Sequence, residues 1–214
     1  MKTPILRLLT IGAGAMLLTS AYVRNPSSGI METAAKNFLS SLTPEQRAQA
    51  TYKFDDDQRL DWHFIPKPRK GLPLREMTTH QTKLAHALLS AGLSQRGYIK
   101  AVSIMSLEDI LKQMEASNPK APQRDPEGYF FTIFGEPAAS GVWGYRVEGH
   151  HLSQNYTVVG GKVVDSPSFF GTNPADVKQG PRKGTRVLAA EEDLARELVT
   201  SLEEIGRASC RERV

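Results

Sequence analysis

Apolar positions along the chain change period once, near Pro119. Before that point they recur at helical spacing. Met31, Ala34, Ala35, Phe38, Leu39 and Leu42 follow the i, i+3, i+4, i+7 pattern, which predicts a first helix. Thr43-Pro44-Glu45-Gln46 opens a second: Thr and Gln three apart form a capping box, and Pro suits the first helical position. Asp55-Asp56-Asp57 closes it. Residues 60–65 (LDWHFI) predict a short strand, ended by Pro66, Pro68 and Gly71. A third helix from about residue 73 carries Leu74, Met77, Leu84 and Leu88 on one face and stops at Gly92. Ser94 caps a fourth, reaching about residue 116, with Tyr98, Ala101, Val102, Met105 and Leu111 inward.

Past the loop at 118–126 the pattern shortens to that of strands. Residues 129–135 (YFFTIFG), 142–148 and 150–159 predict three, and Gly160-Gly161 turns the chain into 162–164 as a hairpin. A loop over 166–184 follows. A last helix, about 189–202, buries Leu194, Leu198 and Leu202 and sets Glu191 and Glu192 in its first turn, where carboxylates favour the helix dipole. Helices first and antiparallel strands later predict an α+β fold, with N-terminal helices packed on a mainly antiparallel sheet and a further helix after it.

Composition narrows the class. The 214 residues are 40% hydrophobic and 23% charged with one cysteine, which excludes a disulfide scaffold and a wholly disordered chain. The formal net charge is +4, but residues 1–21 hold Lys2 and Arg7 without an acid, and residues 205–214 hold Arg207, Arg211 and Arg213 against Glu212. Those two ends account for all of it. The neutral body lacks the positive field that nucleic-acid binding needs, so no nucleic-acid partner is expected.

The two ends also set the domain limits. Lys2 and Arg7, the apolar run at 8–18, and small Thr19, Ser20 and Ala21 predict a signal peptide or N-terminal anchor over 1–21. Either form places the protein outside the cytoplasm, secreted or periplasmic, with the membrane touched only through that segment. Residues 204–214 (EIGRASCRERV) resemble a sequencing adapter translated in frame, a non-native tail that would make Cys210 artificial. Between them, residues 22–203 form a single, partial α+β domain.

The common catalytic signatures are missing: no GxSxG, Walker loop, HExxH, paired CxxC or GxGxxG occurs. Chemistry is concentrated instead between Val142 and Val158. In an unbroken strand Trp143, Tyr145 and Val147 share a face with His151; a bulge at Gly149 would instead align them with His150, Leu152, Tyr156 and Val158. Either phase sets one histidine against an aromatic wall. Glu108 is the second anomaly, a carboxylate inside the apolar stripe formed by Ile104, Met105 and Leu111. A lone buried charge is costly, so it must be protonated, lie at the stripe's edge, or have a partner: Arg124, Arg146, or a metal shared with His150 or His151.

The runs Arg124-Asp125-Pro126, Trp143-Gly144-Tyr145-Arg146, Gly149-His150-His151-Leu152-Ser153 and FFGTNP at 169–174, with Leu93-Ser94-Gln95-Arg96-Gly97-Tyr98 and Leu107-Glu108, resemble the uncharacterised bacterial domain-of-unknown-function family 3500. The resemblance spans about residues 38–202. The resemblance implies a second half with more histidine motifs beyond this chain, hence a truncated chain and enough imidazoles for a mononuclear metal centre. It implies no activity.

The concrete expectation is an exported, metal-dependent hydrolase or oxidoreductase acting on a small molecule or polymer. His150 and His151 are the candidate ligands of a divalent transition metal, with zinc, iron and copper all suited to imidazole. Glu108 is a further ligand or the general base, Arg146 neutralises an anionic substrate group, and Trp143 and Tyr145 form a substrate wall. The alternative is a non-catalytic extracytoplasmic binding or interaction protein with Trp143, Tyr145 and Phe169 as its platform.

Overall fold

A computed structural model of the chain describes residues 27–202. The segments expected to be a leader and a non-native tail lie outside the described residues. Helix α1 (Ser27–Ser40) and the short α2 (Pro44–Ala50) precede strand β1 (Thr51–Tyr52), and β2 (Leu72–Pro73) leads to α3 (Thr79–Ala91) and α4 (Gln95–Met114). Four longer strands follow: β3 (Phe130–Phe134), β4 (Val142–Gly149), β5 (Leu152–Val159) and β6 (Lys162–Phe170). Helix α5 (Ala189–Ser201) ends the described chain. The fold is α+β, as the change of period predicts.

The sheet runs β1-β3-β4-β5-β6, antiparallel throughout except where β1 lies parallel to β3. Strand β2 pairs with the same edge of β3, through Leu72 with Phe131 and Pro73 with Phe130. Two-residue strands of this kind carry no periodic signal, and neither is predicted from the sequence.

Alternation divides β4 and β5 cleanly. Trp143, Tyr145, Val147, Leu152, Tyr156 and Val158 face the helices, while Arg146, Glu148, Ser153, Asn155 and Thr157 face outward. The inner face joins Met31, Ala35, Phe38 and Leu39 of α1, Leu88 and Leu89 of α3, and Ile104 and Met105 of α4 in one continuous core. Phe38 meets Phe131 at a ring separation of 6.0 Å, and both are fully buried. Each stabilises the fold by about 2–3 kcal/mol through area removed from water.

Caps set the helix starts. Thr43 and Gln46 form the expected box, and Thr78 with Gln81 forms a second that moves the start of α3 from about residue 73 to Thr79. Residues 74–76 are a separate 3-10 turn. Ser94 caps α4 through the Gly97 amide.

Three further departures from the expected pattern have physical causes. Residues 60–65 form no strand; they cross the outer face irregularly, with backbone groups satisfied by side chains. The His63 amide donates to Glu148, and the His63 and Ile65 carbonyls accept from Arg69. Strand β6 runs on to Phe170, because an irregularity beside Gln154 and Tyr156 absorbs Ser166 and Pro167. Helix α5 forms, but Leu194 and Leu198 are 66% and 63% exposed. Its first turn is tied down through Lys100 to Glu191 and through Arg186 to Glu192 and Asp193, which leaves the leucine stripe outward. No helix among the described residues is long and apolar enough to cross a membrane.

Candidate functional site

Strands β4 and β5 meet in a tight hairpin, not in a bulge: Gly149 pairs with Leu152, and His150 and His151 are the two loop residues. The inner-face alignment is the one the bulge phase predicts, with His150 at the hairpin tip. That tip is held from several sides. The Tyr129 hydroxyl donates to the His150 carbonyl at 2.8 Å, Arg69 Nη2 donates to the Gly149 carbonyl at 3.0 Å, and the His151 amide donates to the Phe64 carbonyl at 2.8 Å.

Glu108 reaches the tip from α4. It is only 4% exposed, and its partner is His150, whose Nδ1 lies 2.5 Å from Oε1. Nδ1 donates to the carboxylate, which fixes the imidazole's orientation and leaves Nε2 as its free nitrogen. Arg124 Nη1 stands 3.3 Å from the same Nδ1. A nitrogen whose proton is given to Glu108 cannot also accept one, so Arg124 contributes charge here; its hydrogen bonds go to Glu115 at 2.8 and 2.9 Å.

His150 and Glu108 line a cleft of about 290 Å³. Pro66, Lys67, Pro68 and Arg69 wall one side of it, and Arg75, Gln123 and Asp125 are on its rim. Basic side chains outnumber acidic ones in this lining. Arg75 is paired with Asp125 at 3.0 Å, and Arg69 is nearly sealed by backbone carbonyls and Glu148. Burial, and then the charge of Glu108, raise the Tyr129 phenol well above its ordinary pKa, so it stays a donor.

His151 lies edge-on to His150, with ring centres 4.3 Å apart. Its Nδ1 is buried without a hydrogen-bond partner. Burial, reinforced by His150, lowers its pKa to about 4, which keeps the ring neutral near pH 7. Among the described residues no group of three or more His, Cys, Asp or Glu is placed to hold a metal ion.

The structure therefore brings Glu108, His150 and His151 together and separates the other candidates from them. Arg146 points to the outer face, 1% exposed, where its Nε lies 3.0 Å from Glu148. Trp143 and Tyr145 are 0% and 1% exposed on the inner face. Trp143 donates to the Ala138 carbonyl, and Tyr145 stacks on Tyr156 at 4.6 Å, so both rings are core. The aromatic group next to the histidines is a different one: exposed Phe64 stacks on half-buried Phe169 at 4.4 Å, with half-buried Trp62 beside them. Tyr129 and Arg69 are the positioning residues that the sequence does not single out. Only the phenol of Tyr129, at the start of an apolar run, hints at either.

The fold and the site define an α+β domain with a carboxylate–imidazole pair at the base of a small, basic-lined cleft. A family model described as "Protein of unknown function (DUF3500)" matches residues 25–211, and the chain belongs to that family. No curated protein and no solved structure matches it.

Proposed function

We propose that this is an exported hydrolase in which His150, oriented by Glu108, acts through Nε2 as general base toward a water in the Glu108–His150 cleft. The supporting observation is the 2.5 Å contact between Glu108 Oε1 and His150 Nδ1 beneath an accessible cavity. A buried carboxylate on one imidazole nitrogen favours the positive charge that develops when the other takes a proton. The basic lining suits a small substrate with an anionic or carbonyl oxygen, and a cleft of about 290 Å³ suits a compact one.

The test is hydrolysis of p-nitrophenyl acetate and p-nitrophenyl phosphate by the full chain and by His150→Gln and Glu108→Gln. Loss of the general base should lower kcat by about 100-fold or more in His150→Gln, with a smaller loss in Glu108→Gln. Wild-type turnover of both esters no faster than that of His150→Gln sinks the proposal.

A second reading is favoured by the same contact, since a carboxylate behind an imidazole also orients metal-bound histidines. In it a zinc, iron or copper ion sits on His150 Nε2, with His151 beside it. Elemental mass spectrometry decides: near-stoichiometric metal that disappears in His150→Ala supports it, and metal-free protein that still turns over either ester excludes it.

A further inference from the structure

The outer face of the sheet holds a second cavity, of about 160 Å³, that shares no lining residue with the Glu108–His150 cleft. Phe134, Arg146, Asn155 and Thr157 reach it from the sheet, and Arg59 and Trp62 close it from the segment that crosses the outer face. Gly144 pairs with Phe134 on one side and Thr157 on the other, and it puts no side chain between them.

The charges around this cavity do not balance. Arg146 is 1% exposed; its Nη1 donates to the Gln58 carbonyl and its Nε lies 3.0 Å from Glu148, but Nη2 has no hydrogen-bond partner. Its one close carboxylate is Glu148, which also faces Arg69 at 3.9 Å and accepts from the His63 amide at 2.9 Å. Arg59 lies over the Phe54 ring and donates to Thr157 Oγ1 at 3.2 Å, and it pairs with no carboxylate among the described residues. Asp61, whose charge reaches Arg146, is engaged by His63 at 2.9 Å and Lys67 at 3.5 Å. Arg146 and Arg69 thus share Glu148, and Arg59 has no carboxylate of its own among the described residues. A buried guanidinium that shares its carboxylate and keeps an unsatisfied donor is stabilised by a further negative group facing it.

We propose that this cavity binds a small oxyanion, a carboxylate or phosphate group held between Arg146 and Arg59. Thr157 adds a donor, because its oxygen already accepts from Arg59 and its proton is free to turn to the ligand. The volume admits phosphate or a short organic acid and excludes a nucleotide. Guanidinium is the group suited to this task, since its planar fork matches both carboxylate and phosphate oxygens.

The experiment measures the thermal midpoint of the full chain in sodium phosphate and in sodium acetate, each against sodium chloride at equal ionic strength. A saturable rise beyond chloride is expected with at least one oxyanion. Phosphate alone identifies a phosphate site, and acetate alone a carboxylate site. Arg59→Gln removes a partly exposed cation at the mouth and should weaken the effect at least tenfold in apparent affinity. Thr157→Val is the second variant, should Arg59→Gln fail to fold, and should weaken it in the same direction. A midpoint that responds to neither oxyanion beyond chloride, or a response unchanged in the folded variants, overturns the proposal.

Discussion

At position 151 the backbone takes φ 58°, the only left-handed non-glycine residue among those described. Side chains rarely adopt this region, and histidine does so more readily than most. Here the turn requires it, since the two loop residues must reverse the chain between Gly149 and Leu152. The conformation sets the His151 ring against Gly171, where an added Cβ would come within 2.6 Å of Nδ1. With a pKa near 4 when folded and 6.5 as its ordinary value, His151 binds a proton more readily in the unfolded chain. Unfolding therefore takes up protons between those values, and stability falls as pH is lowered from about 6.5 toward 4. Burial lowers His86 in the same sense. Denaturant unfolding at several pH values should show this slope, and His151→Asn, which tolerates the left-handed backbone, should flatten it. An identical slope in both proteins would assign the effect elsewhere.

Among the elements, α4 carries the site's carboxylate, and the elbow before it fixes its place. Gly92, between α3 and α4, rests on the stacked Tyr145 and Tyr156: a Cβ there would lie 2.3 Å from Tyr156 Cζ and 2.6 Å from the Tyr145 hydroxyl. Both tyrosines are buried and cannot retreat. Gly92→Ala should cost about 1–3 kcal/mol by overpacking, measured by chemical denaturation, and should shift α4 and Glu108 with it. Unchanged stability would mean that the tyrosine stack yields. Most elements were legible in the sequence because their signals are local: periodicity for α1, the Thr43 box for α2, Ser94 for α4, Gly160-Gly161 for the β5–β6 turn. The Thr78 box has the same signature and is masked by the apolar Leu74 and Met77 before it. The exposed stripe of α5 was not legible, because an apolar period marks a face without saying what covers it.

For the whole molecule, the candidate site was legible as anomalies and not as a constellation. Glu108 stood out in an apolar stripe and His150 in a Gly-His-His turn. Their pairing spans 42 residues and arises from tertiary packing of α4 beside the β4–β5 hairpin. Alternation alone already separates Arg146 from Tyr145 by a face, and Trp143 and Tyr145 belong to the core because the helices cover that side.

Residues 53–71 are anchored at both ends to one edge of β3, by β1 and by β2. This single arch supplies Pro66, Lys67, Pro68 and Arg69 to one cavity and Arg59, Leu60 and Trp62 to the other. The two cavities are thus rooms that share a partition. An occupant that stiffens or displaces the arch in one changes the free energy of filling the other, and by thermodynamic reciprocity the influence is equal in both directions.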